Sequence, residues 1–107
     1  MSEPVLDLSE IVGMYKEDAR RSVEQMRTAI KRWEEVAQGG PACLELRKLA
    51  HQLRGSGRTY GFREVTRVGK AMEHLIMRLQ AKHLPADERL RTVLTSHIER
   101  LGTIFEE

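Results

Sequence analysis

The apolar residues of this chain recur every three or four positions along most of its length, and this spacing limits the fold more than any other feature. The recurrence holds from Leu8 to Ala37 and again from Val65 to Leu79, and no stretch alternates in the manner of a β-strand. At 107 residues, 40% of them hydrophobic and 32% charged, the chain is large enough for one core and has an ordinary globular composition. The pattern predicts an all-helical fold in a single domain that covers residues 1–107.

Three interruptions divide the pattern into four predicted helices, and they are Gly39-Gly40-Pro41, Gly61 and Pro85. The helices are expected over residues 7–37, 41–60, 62–82 and from 85 to about 105. Asp7 followed by Glu10 resembles a capping box at the first start, and Gly13 is a candidate for a kink. Four amphipathic helices with short connections favour an antiparallel up-down four-helix bundle.

The charge balance argues against several classes of function. The 18 basic and 16 acidic side chains leave a net charge of +2, which is too small to indicate a nucleic-acid partner. No apolar run is long enough to cross a bilayer, and residues 1–4 lack the basic-then-apolar order of a secretion signal. We therefore expect a cytoplasmic monomer that binds neither nucleic acid nor membrane.

Cysteine and histidine do not form a metal-binding pattern. Cys43 is the sole cysteine, so no internal disulfide or Cys-x-x-Cys site can form, and a buried or half-buried structural role is expected. His74, His83 and His97 share no metal-ligand spacing with one another or with Cys43. These histidines are assigned to the surface, and no metal is expected.

The remaining histidine, His51, lies on the polar side of the predicted second helix. The stripe that this helix buries consists of Leu46, Leu49, Ala50 and Leu53. The arc of His51, about 120° away on a helical wheel, also carries Arg47, Arg54 and Arg58. The imidazole is therefore expected to face solvent, with cations on the neighbouring turns of the same face.

Two glycines close to His51 need a reason, because each one destabilises a helix interior by about 1 kcal/mol relative to alanine. Gly55 follows His51 by one turn on the outer edge, where a missing side chain leaves room for another protein. Gly57 points back to the buried stripe, where it would let a neighbouring helix pack closely.

These residues carry a resemblance to a known family. The run Ala50–Ser56, with His51, Leu53, Arg54 and Gly55, resembles the His-x-Leu-Lys-Gly-Ser motif of histidine phosphotransfer (HPt) domains, and Gly61 follows the histidine by ten residues as in that family. The run Ala71–Leu75 is similar to the Met-Glu-Asn-Leu stretch in the phosphotransfer domain of chemotaxis histidine kinases. The resemblance covers residues 42 to 80, with a weaker pattern over Tyr15–Ala19.

The resemblance implies a phosphoprotein of a two-component phosphorelay. His51 would accept a phosphoryl group from the aspartyl phosphate of a response-regulator receiver domain, or from a kinase, and pass it to another receiver aspartate. The partners implied are receiver domains and a hybrid histidine kinase. The chain has no Gly-rich phosphate loop or Walker-type motif, so we expect a phosphoryl carrier without cofactor or kinase activity of its own, and Mg²⁺ on the receiver.

The resemblance also suggests roles for the neighbours of His51. Glu73 would bond the ring and hold its tautomer, while Arg47, Arg54 and Arg58 would face the phosphoryl charge. Lys70 stands where chemotaxis-type domains often have a second histidine, and it would also neutralise phosphate. Gly55 would admit the partner.

Other interpretations remain open at this point. Glu73 would serve only as an intrahelical partner of Lys70 or Met77, and the arginines would form an ordinary solvated face. The apolar residues at the start of the first helix would form either a docking patch or a cap on the bundle, and they are Leu8, Ile11, Val12, Met14 and Tyr15. An adaptor without phosphotransfer, a nucleic-acid-binding module and a piece of a larger kinase are the remaining alternatives.

Overall fold

The computed structural model describes residues 7–106, and all regular structure within them is helical. The helices are α1 (Leu8–Lys31), α2 (Trp33–Ala37), α3 (Pro41–Thr59), α4 (Arg63–Gln80) and α5 (Glu88–Glu106). The prediction of an all-helical fold is confirmed for this part of the chain. Its four long helices, α1, α3, α4 and α5, correspond to the four predicted ones, and α2 is additional.

The prediction of one unbroken first helix is wrong, because the helix is interrupted at Arg32, while Gly13 lies within α1. Arg32 has φ −89° and ψ 51°, and its backbone N–H donates to the carbonyl of Ala29 at 3.0 Å. The apolar spacing does not reveal this break, because Trp33 and Val36 continue the three- or four-residue spacing of apolar residues in α1. They nevertheless belong to a separate helix, α2, which contacts α3.

Side-chain caps mark where two of the long helices begin. The Asp7 carboxylate accepts from the backbone N–H of Glu10 at 2.8 Å, as the capping-box pattern predicts. In the same way Asp87 accepts from the N–H of Leu90 at 3.0 Å, so α5 begins after Asp87 instead of at Pro85. The helix begins there because the Asp87 carboxylate satisfies a backbone N–H of the first turn, which has no acceptor within the helix.

The four long helices and α2 bury a single apolar cluster. Its largest fully buried side chains are Phe105, Met26, Leu46, Met72, Ile76 and Leu94. Burial of side chains of this size stabilises a fold by about 1.5–3 kcal/mol each. None of the helices within residues 7–106 is long and apolar enough to cross a bilayer. The prediction that the chain lacks a secretion signal rests on residues 1–4, which lie outside the described residues.

In two contacts between helices, a residue near the start of one helix meets a residue near the end of another helix. The Tyr15 hydroxyl, near the start of α1, lies 3.0 Å from the Ser56 hydroxyl near the end of α3. Arg100, near the end of α5, donates to Glu64 in the first turn of α4 at 2.6 Å. Four aromatic rings pack together at this end of the molecule, and they are Tyr15, Tyr60, Phe62 and Phe105.

The pair formed by α3 and α4 positions the residues predicted to be functional. Gly57 of α3 is buried, and a Cβ there would lie 3.0 Å from the backbone nitrogen of Thr66 on α4. The prediction that Gly57 permits close helix packing is confirmed. Gly69 of α4 provides a second close approach, with a virtual Cβ 3.0 Å from the Ala50 carbonyl oxygen on α3. The backbones of the two helices therefore approach closely on both sides of His51.

Candidate functional site

His51 lies in the middle of α3 with its side chain 71% exposed. His51 is exposed because it lies about 120° around the helix from the stripe of α3 that faces the core. The ring is therefore accessible to another protein, as the sequence predicts.

A buried carboxylate holds one nitrogen of this exposed ring. Nδ1 of His51 lies 2.6 Å from Oε2 of Glu73 on α4, whose side chain is only 9% exposed. The other carboxylate oxygen, Oε1, accepts from Nη1 of Arg54 at 2.8 Å. Both oxygens of Glu73 are thus engaged by α3, one by the ring and one by the guanidinium.

Electrostatics keep Glu73 in its charged form. Burial raises the pKa of this carboxyl, but the hydrogen bonds from Arg54 and His51 outweigh burial, so the pKa lies below its ordinary value. An ionised carboxylate can only accept hydrogen bonds. Nδ1 must therefore carry the proton of a neutral ring, which leaves the lone pair on Nε2 facing away from Glu73.

The structure brings Arg54 to Glu73 rather than leaving it free beside His51. Sequence reasoning placed Arg54 among the cations for phosphate, and it did not anticipate the ion pair with the carboxylate. Glu73 does not pair only with Lys70 along α4, because its hydrogen-bond partners His51 and Arg54 lie on α3. Nothing in the sequence spacing signals this cross-helix pair.

Arg47, one turn before His51, reaches α4 at a different point. Its Nη1 donates to Oε1 of Gln80 at 2.7 Å. Arg47 and His51 line one shallow recess on the surface together with Leu44, Lys48 and Glu73. Sequence reasoning missed Lys48 and Gln80, although the position of Lys48 three residues before His51 places it within side-chain reach.

The other predicted site residues are exposed but stand apart from this network. Gly55 has open space around it, with no atom within 4 Å of a virtual Cβ. Arg58 lines a separate recess with Gly61 and Arg63. Lys70 is exposed on α4, and within residues 7–106 no hydrogen bond or ion pair joins it to His51 or Glu73. The structure therefore groups His51, Glu73 and Arg54, with Arg47 beside them.

The apolar start of α1 divides into two parts. Tyr15 is buried and stacks on Tyr60 with ring centroids 4.4 Å apart, which is the capping arrangement. Leu8 and Met14 stay 75% and 57% exposed, and Ile11 is also exposed. Part of this segment caps the bundle, and the remainder leaves apolar surface uncovered.

Cys43, His74 and His83 are placed as the sequence predicts, whereas His97 is less exposed than predicted. Cys43 is fully buried, and burial raises the pKa of its thiol, so the reactive thiolate is disfavoured. His74 and His83 are exposed, and His97 is half-buried with Nδ1 2.7 Å from the carbonyl of Val93. In the part of the chain that the structure describes, no group of three or more His, Cys, Asp or Glu side chains is arranged to hold a metal ion.

These features define a class of protein, a helical domain with one exposed histidine whose ring is held on one side by a buried carboxylate. The family model described as the Hpt domain matches residues 10–104, and the chain belongs to this family. Hpt domains carry out histidine phosphotransfer in phosphorelays, where they interact with receiver domains and kinases. Neither the curated proteins nor the solved structures compared with this chain gave a match. The resemblance drawn from the motif around His51 is thus confirmed.

Proposed function

We propose that this chain is a phosphotransfer protein of a two-component phosphorelay, in which His51 carries the phosphoryl group. It takes that group from the aspartyl phosphate of a receiver domain, or from a kinase, and passes it to the aspartate of another receiver. The observation that carries the proposal is the 2.6 Å contact between Nδ1 of the exposed His51 ring and the buried Glu73 carboxylate. A solvent-exposed histidine without a chemical role needs no buried anion.

The transfer step uses the nitrogen that Glu73 leaves free. The lone pair of Nε2 attacks phosphorus of the aspartyl phosphate, a P–N bond forms, and the P–O bond to the aspartate breaks, releasing a carboxylate. The ring becomes positively charged with its proton on Nδ1, where the anionic Glu73 stabilises it. Transfer to the next receiver reverses these bond changes.

The scaffold in this proposal is an antiparallel up-down bundle of α1, α3, α4 and α5, folded as one domain over residues 1–107. Support comes from the contacts between opposite helix ends, Tyr15 with Ser56 and Arg100 with Glu64. We further propose that the chain acts as a cytoplasmic monomer, which presents α3 to one partner at a time.

The remaining predicted residues keep supporting roles in the proposal. Arg47, Arg58 and Lys70 contribute positive charge to the surface that meets phosphate and the acidic receiver. Gly55 lets the backbone of the partner approach next to the ring, because the space around it is open. In this proposal the partner kinase uses the ATP, and the receiver binds the Mg²⁺.

Two other functions use the same fold without this chemistry. An adaptor that binds a receiver but never becomes phosphorylated would not require the Glu73 contact. A nucleic-acid-binding module would use the cations around His51, but a net charge of +2 is small for such a partner.

The test is transfer of a radiolabelled phosphoryl group from phosphorylated receivers to the purified chain. We expect label on the wild-type chain, none on His51→Gln, and undiminished label on His83→Gln, which removes another exposed histidine. Helical content measured by circular dichroism should be the same in all three. Label that persists on His51→Gln would contradict the proposal, and so would a wild-type chain that no receiver or kinase of its source labels.

A further inference from the structure

The hydrogen bond between Arg47 and Gln80 indicates a positioning residue at the site of His51. We propose that Gln80 holds the Arg47 guanidinium beside the recess of His51, where it binds the phosphoryl group while that group is on Nε2. This inference rests on the proposed function. It concerns which cation meets the phosphate and what keeps that cation in place.

The first argument is one of charge. Arg54, the cation that the motif suggests first, already donates to the Glu73 carboxylate at 2.8 Å, and its positive charge compensates that anion. Arg47 instead donates to a neutral amide at 2.7 Å. Within residues 7–106 no ion pair joins Arg47 to a carboxylate. Its full charge therefore remains available to a phosphoryl dianion.

The second argument is one of direction. Side chains on a helix lean toward its N-terminus, so the ring of His51 on α3 leans toward the turn that carries Arg47 and Lys48. Those two cations line the same recess as His51 and Glu73. Arg58 lines another recess, with Gly61 and Arg63. A phosphoryl group held on this side of the ring lies in the recess that Arg47 and Lys48 line.

Gln80 is suited to this task because its side chain is neutral. An arginine side chain loses rotamer entropy when it is fixed, and a hydrogen-bond partner on α4 fixes it in part before the phosphoryl group arrives. A glutamate at the same position would hold the guanidinium equally well but would compensate its charge. The amide therefore orders Arg47 and leaves its charge for the phosphoryl group.

The experiment measures phosphorylation of His51 in the full chain by two donors, a phosphorylated receiver and a small phosphoramidate. The small donor separates chemistry at the ring from docking of the receiver. We expect Gln80→Ala and Gln80→Glu to slow phosphorylation by both donors about three- to tenfold, the loss typical of one ordinary hydrogen bond, because Gln80 acts on the phosphoryl group only through Arg47. Phosphohistidine should hydrolyse or transfer back correspondingly faster in both variants.

Two controls separate positioning from a structural effect. Gln52→Glu adds the same negative charge on α3 next to His51, and it should slow phosphorylation less than Gln80→Glu does. Gln80→Ala should have no additional effect in a chain that already carries Arg47→Ala, because the amide acts only through the guanidinium. Circular dichroism and the unfolding midpoint establish that each variant is folded.

The outcomes distinguish this inference from the proposed function. Wild-type rates in both Gln80 variants, or equal losses in the presence and absence of Arg47, would overturn the role of Gln80 while His51 remained the phosphorylated residue. Should Gln80→Ala unfold, the isosteric Gln80→Glu decides the question by itself. Label on His51→Gln would instead contradict the proposed function, whatever the Gln80 variants show.

Discussion

Gly69 of α4 faces the backbone of Arg54 on α3 with no room for a methyl group. A Cβ on Gly69 would lie 3.0 Å from the Arg54 nitrogen and 3.2 Å from its Cα. These are backbone atoms, so a larger residue could be accommodated only by moving one helix away from the other. Because Glu73 lies one turn beyond Gly69 on α4, the separation of the helices at this point sets the distance from Glu73 to His51 and Arg54.

Gly69→Ala is therefore expected to impair phosphorylation of His51 by pushing α4 away from α3. Overpacking at a tight contact destabilises by about 1–3 kcal/mol, and the better helix propensity of alanine offsets about 1 kcal/mol of that. Phosphorylation by a small phosphoramidate and chemical unfolding measure the two effects.

The matched control for Gly69 is Gly57→Ala, since a Cβ on Gly57 also meets α4, at Thr66. We expect a similar loss of stability with less effect on phosphorylation, because this contact lies farther from Glu73 along α4. Equal losses of phosphorylation in both variants would show that the site depends on overall helix packing and not on the contact at Gly69.

Glu73→Gln should disturb the ring of His51 without changing its exposure. The amide keeps the shape of the side chain but loses the negative charge that holds the proton on Nδ1 and stabilises the charged ring after attack. We expect phosphorylation to slow by at least about tenfold, as for other groups that orient a reactive histidine. Nitrogen NMR of the ring should show a mixture of tautomers in place of one.

Glu64→Gln provides the control for Glu73, because Glu64 is another glutamate of α4 paired with an arginine, Arg100. It should leave both the tautomer and the phosphorylation rate unchanged. If Glu73→Gln retained the wild-type tautomer, the orienting role of the carboxylate would be contradicted.

The ionised Glu73 should also make stability depend on pH. Its pKa in the folded chain lies below its ordinary value, which is about 4.3 in an unfolded chain. The stabilisation is therefore fully present above the unfolded-chain pKa and is lost as the pH falls through the lower folded-state pKa. The difference in unfolding free energy between wild type and Glu73→Gln should be present above the unfolded-chain pKa of the carboxyl and shrink as the pH falls below it. Urea unfolding at several pH values measures it, and a difference that grows below that pKa would contradict the ion pair.

Gly55→Leu should separate docking from chemistry. The position has open space around it, so the fold should tolerate the larger side chain and gain up to about 1 kcal/mol from helix propensity. The added bulk projects beside His51, where a receiver would have to approach. Transfer from a receiver should fall, mainly through weaker binding, while phosphorylation by the small phosphoramidate should persist.

Gly13→Leu is the corresponding control on α1, where a virtual Cβ also meets open space. It should leave transfer at the wild-type rate if the receiver contacts α3 beside the ring. Transfer from the receiver that is unaffected by Gly55→Leu would show that the partner does not cover Gly55.

Several features were predictable because they depend only on which face of a helix is buried. The apolar spacing defines that face, so it placed His51 in solvent and Gly57 against a neighbouring helix. The same reasoning applied to α4 would have identified Gly69, a glycine inside a helix that needs a packing reason. It would not have found the interruption at Arg32, because the register of Trp33 and Val36 continues across it.

The amino-acid sequence by itself determined the all-helical fold, the outward histidine and the family, since periodicity and a local motif are properties of neighbouring residues. Only the tertiary structure decided that Arg54 pairs with Glu73 and that Arg47 pairs with Gln80. These pairs join residues on two helices, and their partners depend on how far α4 is shifted and rotated against α3. That shift is set by the close contacts at Gly57 and Gly69, and no local pattern reveals which residues of the other helix they meet.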